Sequence, residues 1–247
     1  MSRIAIVAAL AGELKPLVRG WRRERRGSVV LWRRTGAKAE WIAVCAGSGS
    51  AAAERAFAEV AKEGPIDLIV SIGWAGALSD ACAPGMAYRV AGVVDADTGE
   101  RFPAADAVSA ASSARPASGF PPSTGTVGSL GCWLATSRCV ADSAEKRRLA
   151  AAHAADLVDM ESAVVARLAK ARGLPFACVK GVSDALADRL PDFNRFISAE
   201  GKFRLLPFVL FAGVRPWRWR ALFRLGRNSA KAAGALARSV RALFGDD

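Results

Sequence analysis

Hydrophobic positions along this chain come in short blocks set between small and charged residues. Residues 4–9 form an unbroken apolar run after Arg3, the signature of a strand buried on both faces. Residues 13–19 predict a short helix, 21–27 a basic turn, and 29–32 with 41–45 a hairpin around Gly36. Ala46-Gly47-Ser48-Gly49-Ser50 reads as a small-residue turn that opens a helix over 51–63. Residues 66–72 predict a strand ending in a second small-residue turn, Gly73-Trp74-Ala75-Gly76-Ala77, and 87–94 a further strand. Residues 97–124, rich in Ala, Ser, Pro and Gly, have little periodicity and suggest a long surface excursion able to lid a site. Beyond it, 133–136 read as a strand and 143–153 as a helix.

Two acidic segments follow. Val158-Asp159-Met160-Glu161 ends an apolar stretch and opens a helix over 161–172, which closes at Gly173. Pro175 starts a strand over 176–182, which ends in Ser183-Asp184. Strand, helix and strand predict a βαβ unit with parallel strands, and hence both acids at the carboxyl ends of strands, where open α/β sheets bind small ligands. The alternation of helices and doubly buried strands predicts an α/β fold in three layers, helix–sheet–helix.

Composition changes this picture in two ways. Hydrophobic residues make up 52% of 247, enough for a large core. The formal net charge is +12 and the pI near 10.3, which points to an anionic partner: phosphate, nucleic acid or an acidic membrane surface. The five cysteines form no CxxC pair and the only histidine is His153, so no zinc-type spacing is present and no metal or cofactor is implied. An odd thiol count without a disulfide framework suggests a reducing compartment, and residues 4–10 are too short an apolar run for an export segment. A cytoplasmic location is expected.

Each candidate site residue has an ordinary structural explanation as well. Glu13 is in place to complement a helix dipole. Ser48 and Gly49 belong to a tight turn whose N–H groups can cradle an anion. Gly73 and Gly76 permit close approach of a flat ring, or only a turn with a packing Trp74. Asp159 fits a helix N-cap, whereas Glu161 lies two residues further on. Asp184 is either a cap or, if desolvated, a general acid. Their convergence on one sheet edge is the signal.

The set resembles the purine nucleoside phosphorylase superfamily, and especially its methylthioadenosine/S-adenosylhomocysteine nucleosidase branch. The likeness runs from Arg3 to about Ala187 and rests on the first strand with Glu13, Ala46-Gly47-Ser48-Gly49, Gly73-Trp74-Ala75-Gly76-Ala77-Leu78, Val158-Asp159-Met160-Glu161-Ser162-Ala163 and Val182-Ser183-Asp184. It implies a mixed sheet of the phosphorylase/hydrolase type and cleavage of a purine N-glycosidic bond. Asp184, with Ser183 beside it, would protonate the base at N7. Glu161, kept ionised, would hold the ribosyl hydroxyls beside Asp159, and Met160 would pack on the sugar. Glu13 would activate water, and Gly73, Trp74, Ala75 and Gly76 would border the nucleoside. Ser48, Gly49 and Lys180 would face the nucleophile, water or phosphate. Two departures stand out: Trp74 replaces a small hydroxyl residue, and Lys180 replaces an arginine, keeping the charge without the bidentate fork. The arginine-bearing phosphate motifs of the classical phosphorylases are not evident. The alternative is a catalytically impaired nucleoside-binding or membrane-associated protein on the same fold. Relatives assemble as dimers, trimers or hexamers, so a homo-oligomer is expected.

Residues 1–200 would form the nucleosidase-like domain and 201–247 a basic amphipathic extension. No acidic residue occurs over 203–244. Leu222, Leu225, Ser229, Ala232, Leu236, Val240 and Leu243 recur at helical spacing, with arginines on the other face. Such a helix beside Trp217 and Trp219 suits an anionic membrane surface, or docks on the core; nucleic acid is not expected. The Arg215-Pro216-Trp217 turn and residues 222–229 also resemble the hopanoid-associated phosphorylases, which would imply a lipid-linked adenosine as substrate and a peripheral place on the inner membrane face.

Overall fold

The structure, a computed structural model, describes residues 2–36, 39–105, 127–128, 131–188, 190–198 and 201–244. Among these residues, twelve strands form one mixed sheet. In chain order they are β1 (Ser2–Ala8), β2 (Arg22–Arg26), β3 (Val29–Thr35), β4 (Ala39–Cys45), β5 (Leu68–Ala77), β6 (Ala87–Arg89), β7 (Gly92–Asp95), β8 (Arg101–Pro103), β9 (Val127–Gly128), β10 (Trp133–Thr136), β11 (Leu157–Asp159) and β12 (Phe176–Asp184). The helices are α1 (Ala11–Leu14), α2 (Ser50–Ala61), α3 (Ser143–His153), α4 (Ser162–Ala171), α5 (Leu205–Gly213) and α6 (Trp219–Phe244).

Period-two alternation sorts side chains onto the two faces of the sheet. Ala5 and Val7 of β1 pack with Ala56, Phe57 and Val60 of α2 and Val165 and Ala169 of α4. Ile4, Ile6 and Ala8 pack with Leu14 and Leu17 near α1 and Leu236 and Val240 of α6. The three-layer expectation therefore holds, and the C-terminal helix supplies part of one outer layer. It comes close because Gly181 of β12 faces it: a Cβ there would stand 3.0 Å from both the Cβ and the carbonyl oxygen of Ala232.

Several expected elements come out differently. The basic segment expected as a turn is the edge strand β2, antiparallel to β3. One of its cations is matched: Arg26 reaches Glu24 and Glu63, each at 2.6 Å, and Glu63 also accepts from Arg33 of β3. Charge on an exposed edge also blocks strand addition. The single strand expected over 87–94 is two, β6 and β7. Residues 106–124 of the expected excursion lie outside the described residues; Arg101–Pro103, at its start, pair with β7.

The largest correction concerns β5. Gly73 to Ala77 were expected to turn, yet the strand runs through them for ten residues. Its first half pairs in parallel with β1, β12 pairs in parallel along most of its length, and its last two residues pair antiparallel with β11. β4, β1, β5 and β12 therefore run one way, and β7, β10 and β11 the other. The two acidic strands do not form a simple parallel βαβ unit. Their carboxyl ends instead approach each other across the end of β5, where the sheet reverses direction, the kind of place at which α/β sheets hold ligands.

Candidate active site

A cleft with about 640 Å³ of empty space, its open mouth included, lies at that reversal. Glu13, Glu161 and Asp184 all line it. Ser48, Trp74, Ala75, Gly76 and Ser183 also lie on its wall, as do Asp159 and Met160. Gly49, Gly73 and Lys180 do not line it but adjoin residues that do, Glu161, Glu13 and Asp159 respectively. Apolar groups, among them Leu10, Val140, Ala141 and Leu190, complete it.

Glu13 is buried at the first turn after β1. Its Oε2 accepts from the amides of Ala9 at 3.0 Å and Leu10 at 2.8 Å, and its Oε1 from the amide of Trp74 at 2.9 Å. Burial pushes its pKa up, and these three N–H donors and Lys180 pull against that. Gly73 makes room for this carboxylate: a Cβ there would lie 3.0 Å from Glu13 Oε1.

Glu161 closes the other side, its Oε1 accepting from the Gly49 amide at 2.6 Å. Burial, then the neighbouring Asp159 carboxylate, push its pKa up to about 8. Both effects oppose the ionised form of Glu161 that the resemblance implies. Asp159 holds the floor together. It accepts from Thr136 Oγ1 at 2.7 Å, Ser162 Oγ at 2.6 Å and the Ser162 amide at 3.1 Å, and it meets Lys180 Nζ at 2.9 Å. Burial opposes the Lys180 charge, but Asp159 and Glu161 outweigh it and raise the lysine pKa.

The expected anion cradle is already engaged. The Gly49 amide goes to Glu161, the Ser48 amide to the carbonyl of Gly201 at 2.8 Å, and the Lys180 ammonium to Asp159. Trp74 does not turn its polar edge into the cleft: its indole N–H donates to the carbonyl of Ser229 on α6 at 2.9 Å.

At the end of β12 the register shifts between Val182 and Asp184. This irregularity lets consecutive residues, Ser183 and Asp184, both line the cleft. The Ser183 hydroxyl lies 2.5 Å from Asp184 Oδ1. Asp184 Oδ2 receives the ammonium of Lys146, which also donates to the Ala185 carbonyl at 2.7 Å. Lys146, on α3, is 1% exposed and lines the cleft, and sequence reasoning missed it. Gly76 gives the pair room, since a Cβ there would stand 3.1 Å from both Asp184 Oδ2 and Lys146 Cε.

The family model of the phosphorylase superfamily matches residues 3–204. The chain belongs to the phosphorylase superfamily. Among solved structures of like fold is a Helicobacter pylori methylthioadenosine nucleosidase mutant with 5′-methylthioadenosine in its active site (TM-score 0.71, 13% identity, 100% of both chains covered). Another is the Streptococcus pyogenes S-adenosylhomocysteine nucleosidase in complex with 5-methylthiotubericidin (TM-score 0.70, 18% identity, 100% of this chain and 98% of that one). A third is the futalosine hydrolase of Helicobacter pylori (TM-score 0.70, 14% identity, 100% and 98%). No curated protein matches this member of the superfamily. At these identities the likeness is one of fold.

Proposed function

We propose that this superfamily member hydrolyses the N-glycosidic bond of an adenosine-type nucleoside and releases adenine. The observation that carries the reading is the meeting of Glu13, Glu161 and Asp184 in one cleft at the reversal of the sheet. Nucleosidases and a futalosine hydrolase among the neighbours of like fold support it.

In this reaction the bond from ribosyl C1′ to the base nitrogen breaks and its electron pair leaves on the purine. Asp184 takes a proton from the Lys146 ammonium against it and passes it to N7, which leaves Lys146 as the neutral amine and makes the base a better leaving group. The sugar becomes oxocarbenium-like, and the carboxylates around it stabilise that charge. Ribosyl hydroxyls bond Glu161, with Met160 against the sugar. A water oxygen attacks C1′ and passes its proton to Glu13, which burial equips as a base.

Water suits this site better than phosphate. Lys146 and Lys180 each already face a carboxylate, and Glu13 and Glu161 add further acid. A phosphate dianion would enter without an unmatched cation to receive it. For the group on the ribose 5′ carbon we favour an apolar one, either a thioether or a lipid chain as in adenosylhopane, because Leu10, Val140 and Leu190 border the cleft.

The test is adenine release from adenosine, methylthioadenosine, adenosylhomocysteine and adenosylhopane, with and without phosphate. Release from at least one of them without phosphate is expected. Tight binding with no release from any would favour the impaired nucleoside-binding reading, and strict phosphate dependence would overturn hydrolysis.

A further inference from the structure

The apolar seam of α6 is not what this molecule shows to its surroundings. Ala232, Leu236 and Val240 are buried against the sheet, and Arg241 ties the helix to the carbonyl of Pro16 at 2.9 Å. The exposed apolar surface lies just before it and at its start. Leu205, Leu206, Val209 and Leu210 of α5 are between 52% and 70% exposed, Trp217 is 73% exposed, and Phe223 is 75% exposed. A helix apolar on every side is normally covered on every side.

The orientation of α5 is fixed from beneath. Phe208 packs on Phe193 and Phe196, each at 5.5 Å between ring centres, and Phe211 packs on Phe196 at 5.2 Å. The Trp219 indole donates to the Ala212 carbonyl at 2.9 Å, which pins the turn between α5 and α6. The leucine row is thus held outward by a packed underside. Arg204, Arg215, Arg218, Arg220, Arg224 and Arg227 lie in the same stretch, residues 203–244, which has no acidic residue.

We propose that this surface docks on an anionic lipid bilayer, with α5, Trp217 and Phe223 in the interface and the arginines against the headgroups. Three observations select this occupant. Leucines beside an exposed Trp match the boundary between acyl chains and headgroups, and an arginine-rich stretch without acid matches anionic lipid. A second copy of the chain would bring the same excess of arginines against itself. A nucleic acid would match the arginines and leave the leucine row in water. Among the described residues no helix is long and apolar enough to cross a membrane, so the contact is peripheral.

The surface adjoins the cleft through one segment. Leu190 lines the cleft, Asp188 meets Arg224 at 2.6 Å, and the Asn194 side chain accepts from the amide of Val140, another cleft residue, at 2.8 Å. A bilayer seated on α5 therefore lies on the far side of a short stretch of chain from the mouth. The docking inference does not depend on the proposed reaction, and its test reads no activity.

The experiment is co-sedimentation of the full chain with vesicles of phosphatidylcholine alone and of phosphatidylcholine mixed with phosphatidylglycerol. The chain is expected to pellet with the anionic vesicles, and less so at high salt. The triple variant Leu206→Ser, Leu210→Ser, Trp217→Ser, altered only at exposed positions, is expected to partition at least about tenfold less. Its urea midpoint should match the parent chain, which separates lost docking from lost folding. Failure of the parent chain to pellet, or equal pelleting of the variant, overturns the proposal. So does a dimer in lipid-free sedimentation velocity that the variant dissolves, if the parent ignores vesicles: the patch would then be a contact between copies.

Discussion

Lys146 and Asp184 form a buried ion pair at the edge of the cleft, with side chains 1% and 7% exposed. Breaking such a pair on one side leaves an uncompensated charge in a place that cannot hydrate it. Lys146→Met should therefore destabilise the protein by about 3–5 kcal/mol. Replacing both partners, with Lys146→Met and Asp184→Leu, should restore most of that loss. Urea denaturation of the two variants checks it, and equal stability of the single and double variants would argue against a structural role for the pair.

Asp184→Asn should slow adenine release by about a hundred- to ten-thousandfold, the usual worth of a positioned acid. Nucleoside binding should persist, because the amide keeps the volume of the side chain. Full activity in this variant would remove Asp184 from the reaction.

Glu13→Gln should fail in two respects. The carboxylate accepts amides on both oxygens, whereas an amide side chain must set its own NH2 against at least one of the amides of Ala9, Leu10 and Trp74. A cost of about 1–3 kcal/mol is expected from that clash of donors, together with loss of turnover. Thermal melting and a base-release assay read the two effects separately.

The pKa of Glu161, raised from 4.5 to about 8, makes stability depend on pH. Between those values the folded chain holds a proton on Glu161 that the unfolded chain has released. Stability from this group is intact below about pH 4.5 and is lost as pH rises through 8. Glu161→Gln should remove that slope and be the more stable protein at pH 8, by up to about 5 kcal/mol. Urea midpoints of both proteins from pH 5 to 8.5 decide it; parallel curves would place the proton elsewhere.

Gly181→Val should loosen α6, because the added Cβ would press on Ala232 and Leu236 at 3.0–3.1 Å. A destabilisation of about 1–3 kcal/mol is expected, with faster amide exchange along α6 than elsewhere.

The doubly buried strands were legible because an unbroken apolar run such as residues 4–9 has few other uses. The acidic residues of the cleft were legible through the motifs around them. The course of β5 was not. Gly73 and Gly76 have the composition of a turn, yet each sits mid-strand to leave space for a side chain from elsewhere: Glu13 in one case, Lys146 with Asp184 in the other. Local sequence cannot distinguish a glycine that bends the chain from one that makes room. The opposed directions of β11 and β12 were hidden for a related reason, since both pair with the same β5 and only its length permits that. Lys146 was lost among Glu145, Arg147 and Arg148, a stretch that reads as a solvated helix face. The polar cradle at Ser48 and Gly49 looked open in sequence because its partners, Gly201 and Glu161, are more than a hundred residues away.

The bond from the Trp74 indole to Ser229 gives the tail a stake in the chamber it leans on. A chain cut short of residue 229 would strand that nitrogen, uncover the groove along Gly181 and take away the backing of a wall whose own amide steadies Glu13. Trimming the C-terminus is therefore surgery on the chamber, and whatever tugs at the far end has a mechanical route to the Glu13 carboxylate.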